Sequence, residues 1–239
     1  MPERYKLSCP VCQIRSRGIF THLEGDNLSK LDLEKSVKKL RKGQIIFHED
    51  TPALAIYCIH SGRVKLYKLG DKGEEQVIRL LGAGTIIGYR ALLAQELFAA
   101  TAEAVEETVV CVIPKDTILA LIANSPEQAL ELMRLLSIEL RISEEQLLQR
   151  TQESVRQRTA RLILFLYEGV ETDTKDNGMI PIPISRKEMS QMIGTTPETL
   201  SRILRRFVSD GLITLYRDGI RINNLPQLKK IARGIGLYT

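Results

Sequence analysis

The sequence changes period once, at Ser125-Pro126-Glu127, and this change constrains the fold more than any other feature. Before it, from Gly43 to about Pro114, short apolar runs alternate with turns. Gln44-Ile45-Ile46-Phe47, Ala55-Ile56-Tyr57-Cys58-Ile59, Gly62-Arg63-Val64-Lys65-Leu66-Tyr67, Gln76-Val77-Ile78-Arg79-Leu80-Leu81 and Val109-Val110-Cys111-Val112-Ile113 read as strands. Ser61-Gly62, Asp71-Lys72-Gly73 and Gly82-Ala83-Gly84 punctuate them. Evenly spaced short strands of this kind predict an antiparallel roll or barrel.

After Ser125 the pattern is helical. Ser125 caps, Pro126 occupies the first helical position, Glu127 places an acid in the first turn, and no breaker follows until about Ser154. Ala129, Met133, Leu136, Leu140, Ser143 and Leu147 recur at alternating spacings of four and three, the seam of a coiled coil. Leu132, Leu135 and Ile142 form a second apolar stripe. One stripe can pack on the β-domain while the other meets a second copy of the chain, so a homodimer is expected. A further helix runs from about Val155 to Tyr167, and residues 171–178 read as a polar loop.

Residues 185–209 carry the most specific pattern. Ser185 caps a short helix through Met192, Gly194 supplies a turn, and Thr196 with Pro197 starts the next helix. That helix buries Leu200, Ile203, Leu204 and Phe207 and presents Glu198, Ser201, Arg202 and Arg205. Two short helices about a glycine turn make a helix-turn-helix, whose second helix enters the major groove of DNA. A carboxylate accepts from the cytosine amino group, and arginine donates two bonds to guanine. Glu198 and Arg202 alone are equally a solvated i,i+4 ion pair, worth a few tenths of a kcal/mol. The hairpin that follows, Leu212 to Ile222 with its turn at Asp218-Gly219, favours base reading and forms a wing. Arg217 and Arg221 on the wing, and Thr196, Thr199 and Arg205 on the helix, are candidates for the DNA backbone.

Charge agrees. Residues 1–149 carry 19 Lys and Arg against 20 Asp and Glu, whereas residues 150–239 carry 15 against 9. Basic charge gathered in one small domain suits a phosphate-bearing partner. No Gly-rich phosphate loop, HExxH or Gly-x-Ser-x-Gly occurs, which argues against an enzyme. No apolar run is long enough for a membrane span and Met1–Lys6 has no signal-peptide core, so a cytoplasmic protein is expected.

Order and motifs together resemble the cyclic-AMP receptor protein/fumarate–nitrate reduction regulator (CRP/FNR) family. Lys42-Gly43-Gln44, Tyr57-Cys58-Ile59-His60-Ser61-Gly62, Gly73-Glu74-Glu75-Gln76 and Gly82-Ala83-Gly84 are similar to its β-roll, and Thr199-Leu200-Ser201-Arg202 to its recognition helix. The resemblance implies an α+β fold: an N-terminal antiparallel β-roll (a cyclic-nucleotide-binding-like jelly roll), a long dimerisation helix and a C-terminal winged helix-turn-helix. The corresponding segments are a cysteine-containing 1–24, a sensor 25–122, a dimer helix 123–153 and a DNA-binding domain 154–239. Glu198, Ser201 and Arg202 match the Glu-x-x-Ser-Arg form of the FNR branch, with Pro197 where the cyclic-AMP branch has arginine. This implies palindromic TTGA-type sites on double-stranded DNA. RNA polymerase is an implied partner, with the Asp71–Glu74 turn as a contact.

The resemblance also frames the signal. The cyclic-nucleotide cassette pairs a glutamate with an arginine about ten residues on. Here Tyr89 replaces the glutamate, Phe98 or Ala99 the arginine, and no Lys or Arg falls between Arg90 and Lys115. Cyclic AMP is therefore not expected. FNR-like sensors hold a [4Fe–4S] cluster with three N-terminal cysteines and one in the β-roll. Cys9 and Cys12 match the first two and Cys111 the central one, while the third falls near Gly18. His22, Cys58, a carboxylate or solvent remain open as a fourth ligand, although Cys58 in its strand reads as a small core residue. Thiol redox chemistry at Cys9 and Cys12, haem, another small ligand or none stay open beside a cluster. His48 and His60 stand alone in the sequence and read as structural.

Overall fold

The computed structural model describes residues 7–70, 73–168, 179–217 and 219–233. The chain forms two compact units, Met1–Ile142 and Ser143–Thr239, and passes from one to the other inside a long helix. In the first unit the described residues form strands β1 (Ser36–Leu40), β2 (Ile45–Phe47), β3 (Ala55–Ser61), β4 (Val64–Leu69), β5 (Glu75–Leu81), β6 (Ile86–Ile87), β7 (Thr101–Ala104) and β8 (Thr108–Pro114). They pair antiparallel as two four-stranded sheets, ordered β1-β8-β3-β6 and β2-β7-β4-β5. Ile56, Ile59 and Val110 of the first sheet and Val64, Ala102 and Ala104 of the second are wholly buried in one shared core. Each fully buried aliphatic side chain of Val or Ile size contributes about 1.5–3 kcal/mol, so the apolar alternation along these strands drives closure of the roll.

The turn after β3 needs glycine. Gly62 has φ +82°, and a Cβ there would lie 2.4 Å from the Glu107 carbonyl oxygen. The Thr108 hydroxyl donates across the same turn to the Arg63 carbonyl at 3.2 Å.

Helices α1 (Gly25–Glu34), α2 (Tyr89–Ala94) and α3 (Lys115–Asn124) complete the roll, and α4 (Pro126–Gln152) follows. The Gln128 N–H donates to the Ser125 hydroxyl at 3.4 Å, so α4 starts at the serine–proline signal. Strands β1, β6 and β7 and helices α1, α2 and α3 were not legible. β1 is an edge strand of sequence Ser-Val-Lys-Lys-Leu whose lysines mask its alternation. β7 is Thr-Ala-Glu-Ala, poor in β-branched residues, and β6 is two residues long.

The second unit continues with α5 (Val155–Glu168), β9 (Met179–Pro181), α6 (Arg186–Met192), α7 (Pro197–Ser209), β10 (Ile213–Leu215), β11 (Gly219–Ile222) and α8 (Leu225–Arg233). Its sheet has the order β10-β11-β9. Ile163, Ile180, Met189, Leu200, Phe207, Ile220 and Leu228 are buried at its centre. β9 and α8 were also missed, and residues 171–178, read as a polar loop, lie outside the described residues.

Candidate nucleic-acid interface and cysteine cavity

Local chemistry sets both helices of the motif. At α6 the Glu188 N–H donates to the Ser185 hydroxyl at 3.2 Å, and the Ser185 N–H donates to the Glu188 carboxylate at 2.7 Å. This capping box satisfies two otherwise orphaned donors. Gly194, at φ +63°, turns the chain, and the Thr195 N–H returns to the Ser190 carbonyl at 2.9 Å. The Thr199 N–H then donates to the Thr196 hydroxyl at 3.2 Å, with Pro197 at the first helical position of α7. From behind, the Arg158 guanidinium donates to the Ile193 carbonyl at 2.7 Å. Arg156 holds Asp210 at 2.9 Å and lies over the Phe207 ring. These two α5 arginines position the motif; the sequence reading passed over them because they precede its helices.

Along α7, Leu200, Leu204 and Phe207 are buried, Ile203 is half-buried, and Glu198, Arg202 and Arg205 are exposed, with Ser201 half-buried beside them. Among the described residues neither Glu198 nor Arg202 has a hydrogen-bond or ion-pair partner, so the i,i+4 ion pair is not made. Thr196 is exposed, Thr199 is half-buried, and their hydroxyls lie 3.2 Å apart.

On the wing Arg217 and Arg221 are exposed, and Arg221 stacks on the Tyr216 ring at 5.4 Å. Gly219, read from sequence as a turn residue, begins β11, and Asp218 lies outside the described residues. A Cβ at Gly219 would meet the Ile180 carbonyl oxygen at 2.6 Å, so glycine serves the close approach of β9.

On α4, Met133, Leu140 and Leu147 are 53%, 62% and 66% exposed, and Leu136 and Ser143 are also exposed; Ala129 is half-buried. The other stripe behaves differently. Leu132 is buried in the first unit's core and Leu135 packs partly against it.

The four cysteines come together. Cys9, Cys12, Cys58 and Cys111 line one cavity of about 60 Å3, with His60, Lys35, Arg15 and Gly18 also on its wall. Cys58 and Cys111 are paired in register across β3 and β8. Cys9 sits in a single helical turn beside α1, its N–H donating to the Asp32 carboxylate at 2.7 Å. Asp32 also pairs with Lys35. The Cys12 sulfur is 3.8 Å from His60 Nδ1. Burial pushes the Cys9 and Cys111 thiols up to about 11 and the Cys58 thiol well above its usual value. Cys58 packs against the roll's core, as its strand position implies, and also lines this cavity, and His60 is not isolated. The sequence could not show either, because Cys58 meets Cys111 only through the register of β3 and β8, and Cys12 meets His60 across 48 residues. His22 is exposed and does not line the cavity.

Residues 37–125 match the cyclic nucleotide-binding domain family and residues 157–231 the Crp-like helix-turn-helix domain family. The chain is 28% identical over 226 residues to the regulatory protein HlyX of Actinobacillus pleuropneumoniae, covering 94% of each chain. It is 28% identical over 231 residues to the fumarate and nitrate reduction regulatory protein of Yersinia pestis, covering 95% of this chain and 91% of that one. The chain belongs to the CRP/FNR family. The structure of FixK2 from Bradyrhizobium japonicum shares the fold, with TM-score 0.73 at 24% identity over 84% of this chain and 99% of that one. As in the family's regulators, a Crp-like helix-turn-helix makes this chain a DNA-binding transcription regulator.

Its β-roll has a second cavity, of about 110 Å3, lined by Phe47, Arg79, Tyr89, Phe98 and Glu139 among others. Phe98 stacks on Phe47 with ring centres 3.9 Å apart, and Arg79 donates to Glu139 at 3.0 Å.

Proposed function

We propose that two copies of this chain, joined along α4, read a palindrome of TTGA-type half-sites and respond to oxygen or redox state through the cysteine cavity. The observation that carries the reading is the α7 surface, where Glu198 and Arg202 stand exposed and unpaired beside Ser201 on a helix capped by Thr196. Arg202 takes the guanine and Glu198 the opposing cytosine amino group, while Thr196, Thr199, Arg205, Arg217 and Arg221 hold phosphates. Ala129, Met133, Leu136, Leu140, Ser143 and Leu147 form the dimer seam, which sets two half-sites about one helical turn apart. DNA as partner places the protein's work in the cytoplasm, in a regulatory rather than catalytic role, with RNA polymerase as a further partner. The Asp71–Glu74 turn is the candidate contact, and its residues 71–72 lie outside the described residues.

The cavity's donor set fits an iron–sulfur cluster, since such clusters are held by thiolates. Among the described residues no three His, Cys, Asp or Glu side chains converge tightly enough to hold a single metal ion. The cavity exceeds the roughly 10–15 Å3 that one water needs, and the four thiols on its wall are of the donor type that such clusters take. Cys9, Cys12 and Cys111 would hold it, and when bound it supplies an oxygen-sensitive redox centre.

The chain's own residues connect that site to the seam. Arg15 donates to the carbonyls of Phe20, Thr21 and Leu23 at 3.1, 3.2 and 2.8 Å. Buried Gln128 donates to the Ile19 carbonyl at 2.6 Å, one residue before Ala129. A shift of the Cys9–Cys12 segment is thus passed to the start of α4. In the second cavity the Phe47–Phe98 stack fills space and Glu139 already takes the Arg79 guanidinium. Arg90 also lines this cavity but is exposed, so among the described residues its wall offers a phosphate no buried, uncommitted cation, which supports the reading that cyclic AMP is not the effector.

The test is a salt-dependent binding titration on a duplex carrying two TTGA half-sites. Binding that collapses when one half-site is scrambled, and that falls steeply with salt, is expected. Equal binding to scrambled duplex refutes sequence reading.

A further inference from the structure

We propose that Cys58 is the fourth thiolate of the cysteine site, so that Cys9, Cys12, Cys58 and Cys111 together hold one cluster. The inference rests on the iron–sulfur reading above and supplies the ligand that Gly18 lacks.

Three observations converge. Cys58 and Cys111 stand directly opposite each other on neighbouring antiparallel strands. Residues so placed project from the same face of a sheet with Cβ atoms about 4.5–5.5 Å apart. Both thiols therefore reach the same side of the sheet, where the turn carrying Cys9 and Cys12 closes the cavity. The remaining walls are mainly apolar (Ile14, Phe20, Leu31, Ile59, Ile86, Ile113), which favours a thiolate-held group shielded from water.

The charge balance agrees. Four thiolates concentrate negative charge, and buried negative charge needs cationic compensation. Lys35 lies on the cavity wall with its side chain only 4% exposed, its charge shared with Asp32, and Arg15, bonded to neutral carbonyls, brings a second positive charge to that wall.

Gly18 explains the displacement of the ligand. It lines the same cavity, and a Cβ built on it would sit in ordinary contact with the Gly84 carbonyl oxygen (3.6 Å) and an Ile86 methyl (3.9 Å). Its φ of −129° is open to any residue. A thiol at position 18 would therefore enter the cavity that Cys58 lines from the opposite part of the chain. The competing donor is His60, 3.8 Å from the Cys12 sulfur.

The test is anaerobic reconstitution of the full chain with iron and sulfide, reading iron and acid-labile sulfide per chain and visible absorbance after desalting. Wild type is expected to hold about four irons. Cys58→Ser, with a check of the apo protein's Tm, is expected to fold and to retain half the iron or less. The double variant Cys58→Ser/Gly18→Cys is expected to return to the wild-type level, and His60→Ala to match wild type throughout. Cys58→Ser retaining more than half the iron overturns the assignment while leaving the cluster reading intact. Iron loss without rescue by Gly18→Cys, or equal loss in His60→Ala, also overturns it. Wild type that holds no iron overturns the cluster reading itself.

Discussion

Glu198 and Arg202 stand one helical turn apart on α7 with opposite charges, yet they do not pair. An exposed ion pair of this kind is worth only a few tenths of a kcal/mol, so leaving it unmade costs little and keeps both groups available to base edges. Replacing Arg202 by alanine is expected to cost about 1–3 kcal/mol on a TTGA duplex and to flatten the preference at the guanine. Competition binding against the four bases at that position checks this, and uniform weakening on all four would assign Arg202 to phosphate instead. Thr196 acts differently. Its hydroxyl accepts from the Thr199 N–H at 3.2 Å, so Thr196→Ala is expected to lower thermal stability by about 1 kcal/mol at unchanged base preference.

At the scale of elements, α4 leaves an apolar row uncovered in the single chain while its opposite stripe is buried through Leu132. Burying a leucine is worth about 1.5–3 kcal/mol. Leu140→Asp removes that gain and adds a charge at both copies, so sedimentation is expected to show monomers at concentrations where wild type is dimeric. Wild-type-like sedimentation would place the interface elsewhere. In the β-roll, Gly62→Ala must displace the Glu107 carbonyl from 2.4 Å, and a loss of about 1–3 kcal/mol in thermal unfolding is expected.

These elements also show what a sequence carries and what it does not. β3, β5, β8, α4 and both helices of the motif announce themselves through alternation, caps and proline positions. β7 and β1 do not, because alanine and lysine occupy positions that tertiary pairing alone makes strand. The exposed face of α7 was legible from a helical period of 3.6. The cysteine cavity was half legible: the spacing of Cys9 and Cys12 showed, whereas Cys58 joins them only through its register with Cys111.

For the molecule as a whole, charge and chemistry divide along the chain. The near-neutral stretch of 149 residues holds the thiols, and the basic stretch after it holds the helix-turn-helix. Arg15 donates to the Leu23 carbonyl and Gln128, in the first turn of α4, donates to the Ile19 carbonyl, which ties the segment after Cys12 to the start of α4. Two copies of α7, related by a two-fold axis, are expected to read DNA sequence together. Selection of bound duplexes from a randomised pool, followed by sequencing, tests this most directly. Enrichment of an inverted repeat of TTGA-type half-sites centred about one helical turn apart is expected. A pool that emerges without an inverted repeat, or with no sequence preference, would contradict it.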